Sequence, residues 1–232
     1  MELCSRSARS QIGSQVVTLP GVEIPGHVAS GLGNERHPMR IMTRRAAGLA
    51  PGGWDRAAVG LVGDTFDALA PEWHTRTSPQ RTEVVGDALS RGLEEVGGER
   101  GLAVEVGAGI GTYSALITQS FRTVLSLDLS REMITRAPVG LAHRIVADAS
   151  LLPIGDDCAD GVVLINAFVF PGEVRRVLKI GGVIVWVNSS GSQTPIHLST
   201  YDLVKALPFP VHGVESSAGV GSWCVLIRDK TV

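Results

Sequence analysis

Between Leu102 and Asn188 short apolar runs alternate with stretches of helical spacing. The runs are LAVEV, TVLSL, HRIVA, GVVLIN and VIVWVN, and four of them end at Asp128, Asp148, Asn166 and Asn188. Each is short enough and rich enough in β-branched residues to predict a strand. Helices are predicted between them: over Tyr113 to Gln119, over SREMITRA with Ser130 as cap, and over PGEVRRVLK, stopped by Gly181 and Gly182. Such alternation predicts a parallel α/β sheet. After Asn188 the rhythm changes. HLSTYDLVKAL reads as a helix, and VHGVESSAG and GSWCVLIRD follow with a very short connection. Strands joined that closely are antiparallel. The expectation is a mostly parallel seven-stranded sheet with a C-terminal antiparallel hairpin.

Upstream the pattern weakens. SPQRTEVVGDALSRGLEEVGG predicts a helix capped by Ser78, started by Pro79 and ended by Gly97 and Gly98, with Val85, Leu89, Leu93 and Val96 on one face. WDRAAVGLVGDTFDALAPEWHTR reads as short helices broken by Gly and Pro. Residues 1–50 mix Pro, Gly and polar residues without sustained periodicity and are expected to be an irregular appendage. On that reading a chain beginning at Met42 would keep its fold. The division is then 1–50 appendage, 51–98 helical lid and 99–232 main domain.

Composition narrows the classes. In 232 residues, 44% are hydrophobic and 19% charged, enough for a sizeable core. A net charge of −2 argues against a nucleic-acid backbone as the main partner. Cys4, Cys158 and Cys224 form no CxxC pair, which argues against a zinc site or a disulfide framework and fits a reducing cytoplasm. No run is long enough for a membrane helix. Arg6 and Arg9, with Glu2 the one acid nearby, leave a transit peptide as an alternative at the N-terminus.

VEVGAGIGTYSA carries the chemistry. Gly107, Gly109 and Gly111 give G-x-G-x-G, whereas a dinucleotide fingerprint has glycine where Thr112 stands. Together with LDLSREM at 127–133, ADASLLPIGDDCADGVV at 147–163 and EVRRVLKIGG at 173–182, the stretch from about 55 to 232 resembles the class I S-adenosylmethionine-dependent methyltransferases. The resemblance implies a Rossmann-like fold and S-adenosyl-L-methionine as cofactor. It implies that Glu105, Gly107, Ala108, Gly109 and Gly111 form the turn, with Glu105 serving the loop amides and the cofactor's ammonium end. Asp128 would take the ribose hydroxyls, with Leu129 beside the adenine. Asp148 and Ala149 would meet the adenine, and Asn166 ends the fourth strand at the same edge.

Arg76 is a candidate partner for the cofactor carboxylate. His197 and His74 are the candidate general bases, although aligned methyl transfer needs a base only when the nucleophile must lose a proton. His143 reads as structural, and His27 and His37 lie in the appendage. INAFVFPGE lacks the Asn-Pro-Pro-aromatic signature of enzymes that methylate DNA bases or protein glutamine, so a small-molecule acceptor is expected, with Phe168 and Phe170 near it or in the core. Two alternatives stand beside an active methyltransferase: a catalytically silent protein of that fold, and a nicotinamide-dependent oxidoreductase.

Overall fold

A computed structural model describes residues 14–29, 31–140 and 142–230. Cys4, Arg6 and Arg9, on which the compartment and transit-peptide readings partly rest, lie outside the described residues.

The strands are β1 (Gln15–Thr18), β2 (Leu102–Val106), β3 (Thr123–Asp128), β4 (His143–Val146), β5 (Ala159–Ile165), β6 (Leu178–Asn188), β7 (Val211–Ala218) and β8 (Gly221–Arg228). They form one sheet in the order β1-β7-β8-β6-β5-β2-β3-β4. β2 pairs in parallel with β3 and β5, and β5 with β6. β8 runs antiparallel to both β6 and β7. The sheet is therefore the expected one with an eighth strand added, because β1 pairs in parallel with β7 at the edge.

Helices cover both faces: α1 (Pro38–Ala46), α2 (Arg56–Leu69), α3 (Pro79–Asp87), α4 (Leu93–Val96), α5 (Ser114–Ser120), α6 (Arg131–Arg136), α7 (Pro171–Val177) and α8 (Thr200–Ala206). A π turn over Ala88–Gly92 joins α3 to α4. On this face Val84, Val85 and Leu93 pack with Ile117 and Trp223. On the other, Val174, Val177 and Leu203 pack with Leu164 and Trp186. Ser78 and Ser130 cap α3 and α6 as read, accepting from the backbone N–H groups of Arg81 and Met133.

Three sequence expectations are corrected. The segment before residue 50 is not irregular where it is described. β1 adds to the sheet, Val22 bridges to Ala218, and α1 buries Met39, Met42 and Ala46 at spacings of three and four. A third, smaller core forms there, from Met39, Met42, Ala58, Val62 and Ile196. α2 runs unbroken through Gly60 and Gly63, since a glycine inside a helix costs only about 0.5–1 kcal/mol. α7 ends at Val177, ahead of the glycines, because Leu178 is already paired with Ala159 in the sheet. Of the cysteines, Cys224 is buried and Cys158 exposed, both as free thiols.

Candidate active site

The carboxyl ends of β2 to β6 open into a cavity of about 820 Å³. Ligands bind at this edge of open α/β sheets. The glycine turn forms its floor. Gly107 has φ 68°, and a side chain there would bring its Cβ to 2.8 Å from the Cβ of Ala167. Gly109 has φ 56° and lies beneath the indole of Trp73, whose Nε1 would stand 3.3 Å from an added Cβ. Ala108 is held by its N–H to Leu127 O at 2.9 Å. Gly111 belongs to the same turn but is not among the residues that line the cavity. With φ 74°, it shapes the turn, and an added Cβ would stand 3.3 Å from both Ala137 Cβ and an Arg144 Nη.

Three carboxylates stand at the strand ends, each with donors of its own. Glu105 is 3% exposed, and its Oε2 accepts from Ser114 Oγ at 2.7 Å and Ser126 Oγ at 2.5 Å. Burial pushes its carboxyl above the ordinary range, against the pull of those two hydroxyls. Asp128 accepts from Gly109 N at 2.7 Å through one oxygen and from Ser130 N at 2.8 Å through the other. Burial raises its pKa as well, while these N–H groups favour the ionised form. Asp148 accepts from Ser150 N at 2.8 Å, and the indole Nε1 of Trp54 reaches both its oxygens at 3.1 Å. Leu129, Ala149 and Asn166 line the same cavity. Asn166 sits at φ 51° and exchanges hydrogen bonds with Ser189.

The helical segment after residue 51 forms the wall opposite the sheet. Trp54 packs edge-on against Phe170 at 4.9 Å and tilted on Phe168 at 5.4 Å, and both phenylalanines line the cavity. Phe66 meets Trp73 at 5.5 Å, and the Arg76 guanidinium lies 5.7 Å from the Trp73 ring centre. Arg76 lines the cavity. His74, on the same 3-10 turn over Ala70–Arg76, is exposed and does not.

The remaining wall comes from the N-terminal strap, residues 24–40, and from the segment after β6. His27 and His37, set aside in the sequence, both line the cavity, whereas His197 does not. His37 caps α1, its Nδ1 accepting from Met39 N at 3.2 Å. Gly33 N bonds to Gln193 O at 2.9 Å, and Gly31 N to Gln193 Oε1 at 2.7 Å. Arg40 fixes the two segments together. It is 4% exposed, and its Nη2 donates to Ser192 O at 2.6 Å and Thr194 O at 2.7 Å. The signals for these residues were local and faint: Pro38 behind a capping histidine with methionines at spacing three, and a lone indole in PGGW.

His197 is half-buried, and burial together with the Arg40 charge pushes its imidazole down to about 4. Such a group is a poor base near neutrality. The unfolded chain binds that proton near pH 6.5, so the stability His197 contributes is present above 6.5 and lost as the pH falls toward 4. His197→Gln should flatten the decline of melting temperature across that window. An unchanged decline would mean that other groups control it.

Residues 104–186 match the family described as a methyltransferase domain. The malonyl-[acyl-carrier protein] O-methyltransferase of Methylococcus capsulatus is 30% identical over 135 residues, which are 52% of this chain and 48% of that protein. The chain thus spans about half the length of this curated relative. Among solved structures, the DhpI–SAH complex superposes with a TM-score of 0.57 at 17% identity, over 75% of this chain and 98% of that one. The PH0226 protein of Pyrococcus horikoshii gives 0.53 at 20% identity, over 65% of this chain and 90% of that one. At these identities the two structures speak for the fold.

Proposed function

The chain carries a methyltransferase domain of the class I, S-adenosylmethionine-dependent family, and from that premise we propose that it transfers a methyl group from S-adenosylmethionine to a small-molecule acceptor. One observation carries the reading: a glycine turn and three strand-end carboxylates, Glu105, Asp128 and Asp148, converge on one cavity. The residues fit the cofactor. Gly107 and Gly109 leave room where a Cβ would collide or crowd. Each oxygen of Asp128 accepts one backbone N–H and keeps a lone pair for a ribose hydroxyl. Asp148 and the Ala149 amide suit an adenine edge, with Leu129 and Trp54 as apolar walls. Glu105 suits the ammonium end, and Arg76 the carboxylate.

When bound, S-adenosylmethionine supplies an electrophilic methyl on a sulfonium. The protein's part is to align the acceptor with it and to exclude water, and alignment alone can contribute about 7–11 kcal/mol. Trp54, Phe66 and Trp73 form a lid suited to that task. Cytoplasmic residence belongs to the same reading, since free Cys158 and Cys224 suit a reducing compartment.

Calorimetric titration tests the reading. S-adenosylhomocysteine is expected to bind and NAD to give no heat. Binding of NAD in place of S-adenosylhomocysteine would return the site to the oxidoreductases. Binding without transfer of labelled methyl to any metabolite would leave a silent binding protein.

A further inference from the structure

The acceptor's class can be narrowed from the charges and hydrogen bonds of the strap half, and this inference rests on the methyl-transfer reading. The acids that line the cavity are Glu105, Asp128 and Asp148, all at strand ends and all holding donors already. Among the described lining residues contributed by the strap, by α3 and by residues 189–196, none is acidic. Two arginines line the cavity instead, Arg76 and Arg81. Neither forms an ion pair among the described residues.

The methyl donor brings one carboxylate. Arg76, whose guanidinium lies 5.7 Å from the ring centre of Trp73, the indole beside Gly109, is the candidate for it. Arg81 stands next to Arg76, and its charge is felt at His27 of the strap, where it adds to burial in lowering the pKa. It follows Gln80, whose amide lies 3.8 Å from where a Cβ on strap residue Gly26 would stand. One Nη of Arg81 donates to Arg76 O, which steadies the side chain and leaves other guanidinium N–H groups for a ligand.

Among the described residues of the strap half that line the cavity, none is placed as a base. His37 spends Nδ1 on the Met39 N–H, so its neutral ring carries the proton on Nε2 and acts as a donor. His27 likewise takes the Val220 N–H on Nδ1 at 3.4 Å. Burial raises the Tyr113 hydroxyl above its usual pKa, so it too stays protonated. A phenol, thiol or enol acceptor would need a proton removed, and an ammonium would face two arginines beside a sulfonium.

We propose that the acceptor is an organic carboxylate, seated on Arg81 and methylated on oxygen. A carboxylate is ionised at neutral pH and needs no base. Its oxygen lone pair forms the new O–CH3 bond as the S–CH3 bond breaks and that electron pair stays on sulfur. The products are a methyl ester and a neutral thioether, and no proton moves. Apolar walls from Val28, Leu32, Met39 and Ile196 suit the carbon body of such an acid.

The test incubates the protein with tritiated S-adenosylmethionine and metabolite extracts, then treats the products with alkali. Methyl esters release volatile labelled methanol, whereas ethers, N-methyl and C-methyl groups do not. Alkali-labile label is expected. It should fall ten- to a hundredfold in Arg81→Gln, recover in part in Arg81→Lys, and leave S-adenosylhomocysteine affinity by calorimetry unchanged in both. Alkali-stable label overturns the carboxylate while methyl transfer stands. A tenfold loss of S-adenosylhomocysteine affinity in Arg81→Gln would assign that arginine to the donor and overturn its role here. No label at all, from protein that binds S-adenosylhomocysteine, overturns methyl transfer and this inference together.

Discussion

Replacing Arg40 by alanine is expected to lower the melting temperature by roughly 6–24 °C. The side chain is 4% exposed and donates two short hydrogen bonds, to Ser192 O at 2.6 Å and Thr194 O at 2.7 Å, with a longer one to Pro195 O at 3.4 Å. A hydrogen bond from a charged donor is worth about 1.5–3 kcal/mol, so the two short ones give about 3–6 kcal/mol. For a chain of this size each kcal/mol moves the midpoint by about 2–4 °C. The ion pair to Glu35 adds little, since that glutamate is 80% exposed. Glu35→Gln should therefore leave the midpoint in place, and Arg40→Lys, which keeps the charge and loses the fork, should fall between. Differential scanning fluorimetry of the three variants decides the matter. An alanine variant melting with wild type would show that the strap is not held by this residue.

The same contacts reverse an expectation drawn from sequence. A chain beginning at Met42 would lose β1, Ile24, Met39 and Arg40 together, exposing the edge of β7 and opening the small core under α1. Such a chain should aggregate. The α/β core was legible because its signals are local: apolar runs of strand length, Ser130 and Ser78 at helix starts, and acids at strand ends. Asp128 and Asp148 stand where that reading put them. The strap was not legible because its residues act across the chain. Arg40 meets partners 152 to 155 positions away, and His27 one 193 away. No window of local periodicity contains such a pair. The histidines show the consequence. His74, in the lid segment, and His197, just past the fifth strand, are the candidates from sequence, but the one is exposed and the other lies beside the Arg40 charge, while His27 and His37 arrive in the cavity with the strap.

Asp128→Ala is expected to weaken S-adenosylhomocysteine binding by ten- to a hundredfold or more. The proposed role gives the carboxylate two ribose hydroxyls, and hydrogen bonds to a charged group are worth about 1.5–3 kcal/mol each. One factor of ten in affinity is about 1.4 kcal/mol. The structure adds a second source of loss, because the same carboxylate holds the Gly109 N–H at 2.7 Å and the Ser130 N–H at 2.8 Å. Alanine releases the glycine turn as well as the ribose. Asparagine keeps one acceptor and turns a donor toward one of those N–H groups, so Asp128→Asn should bind with intermediate affinity. A 2′-deoxy analogue separates the two sources. It should bind wild type weakly and lose further affinity on Asp128→Ala by the share that belongs to the turn. An alanine variant that stays folded and binds S-adenosylhomocysteine as wild type does would remove the ribose from this strand end.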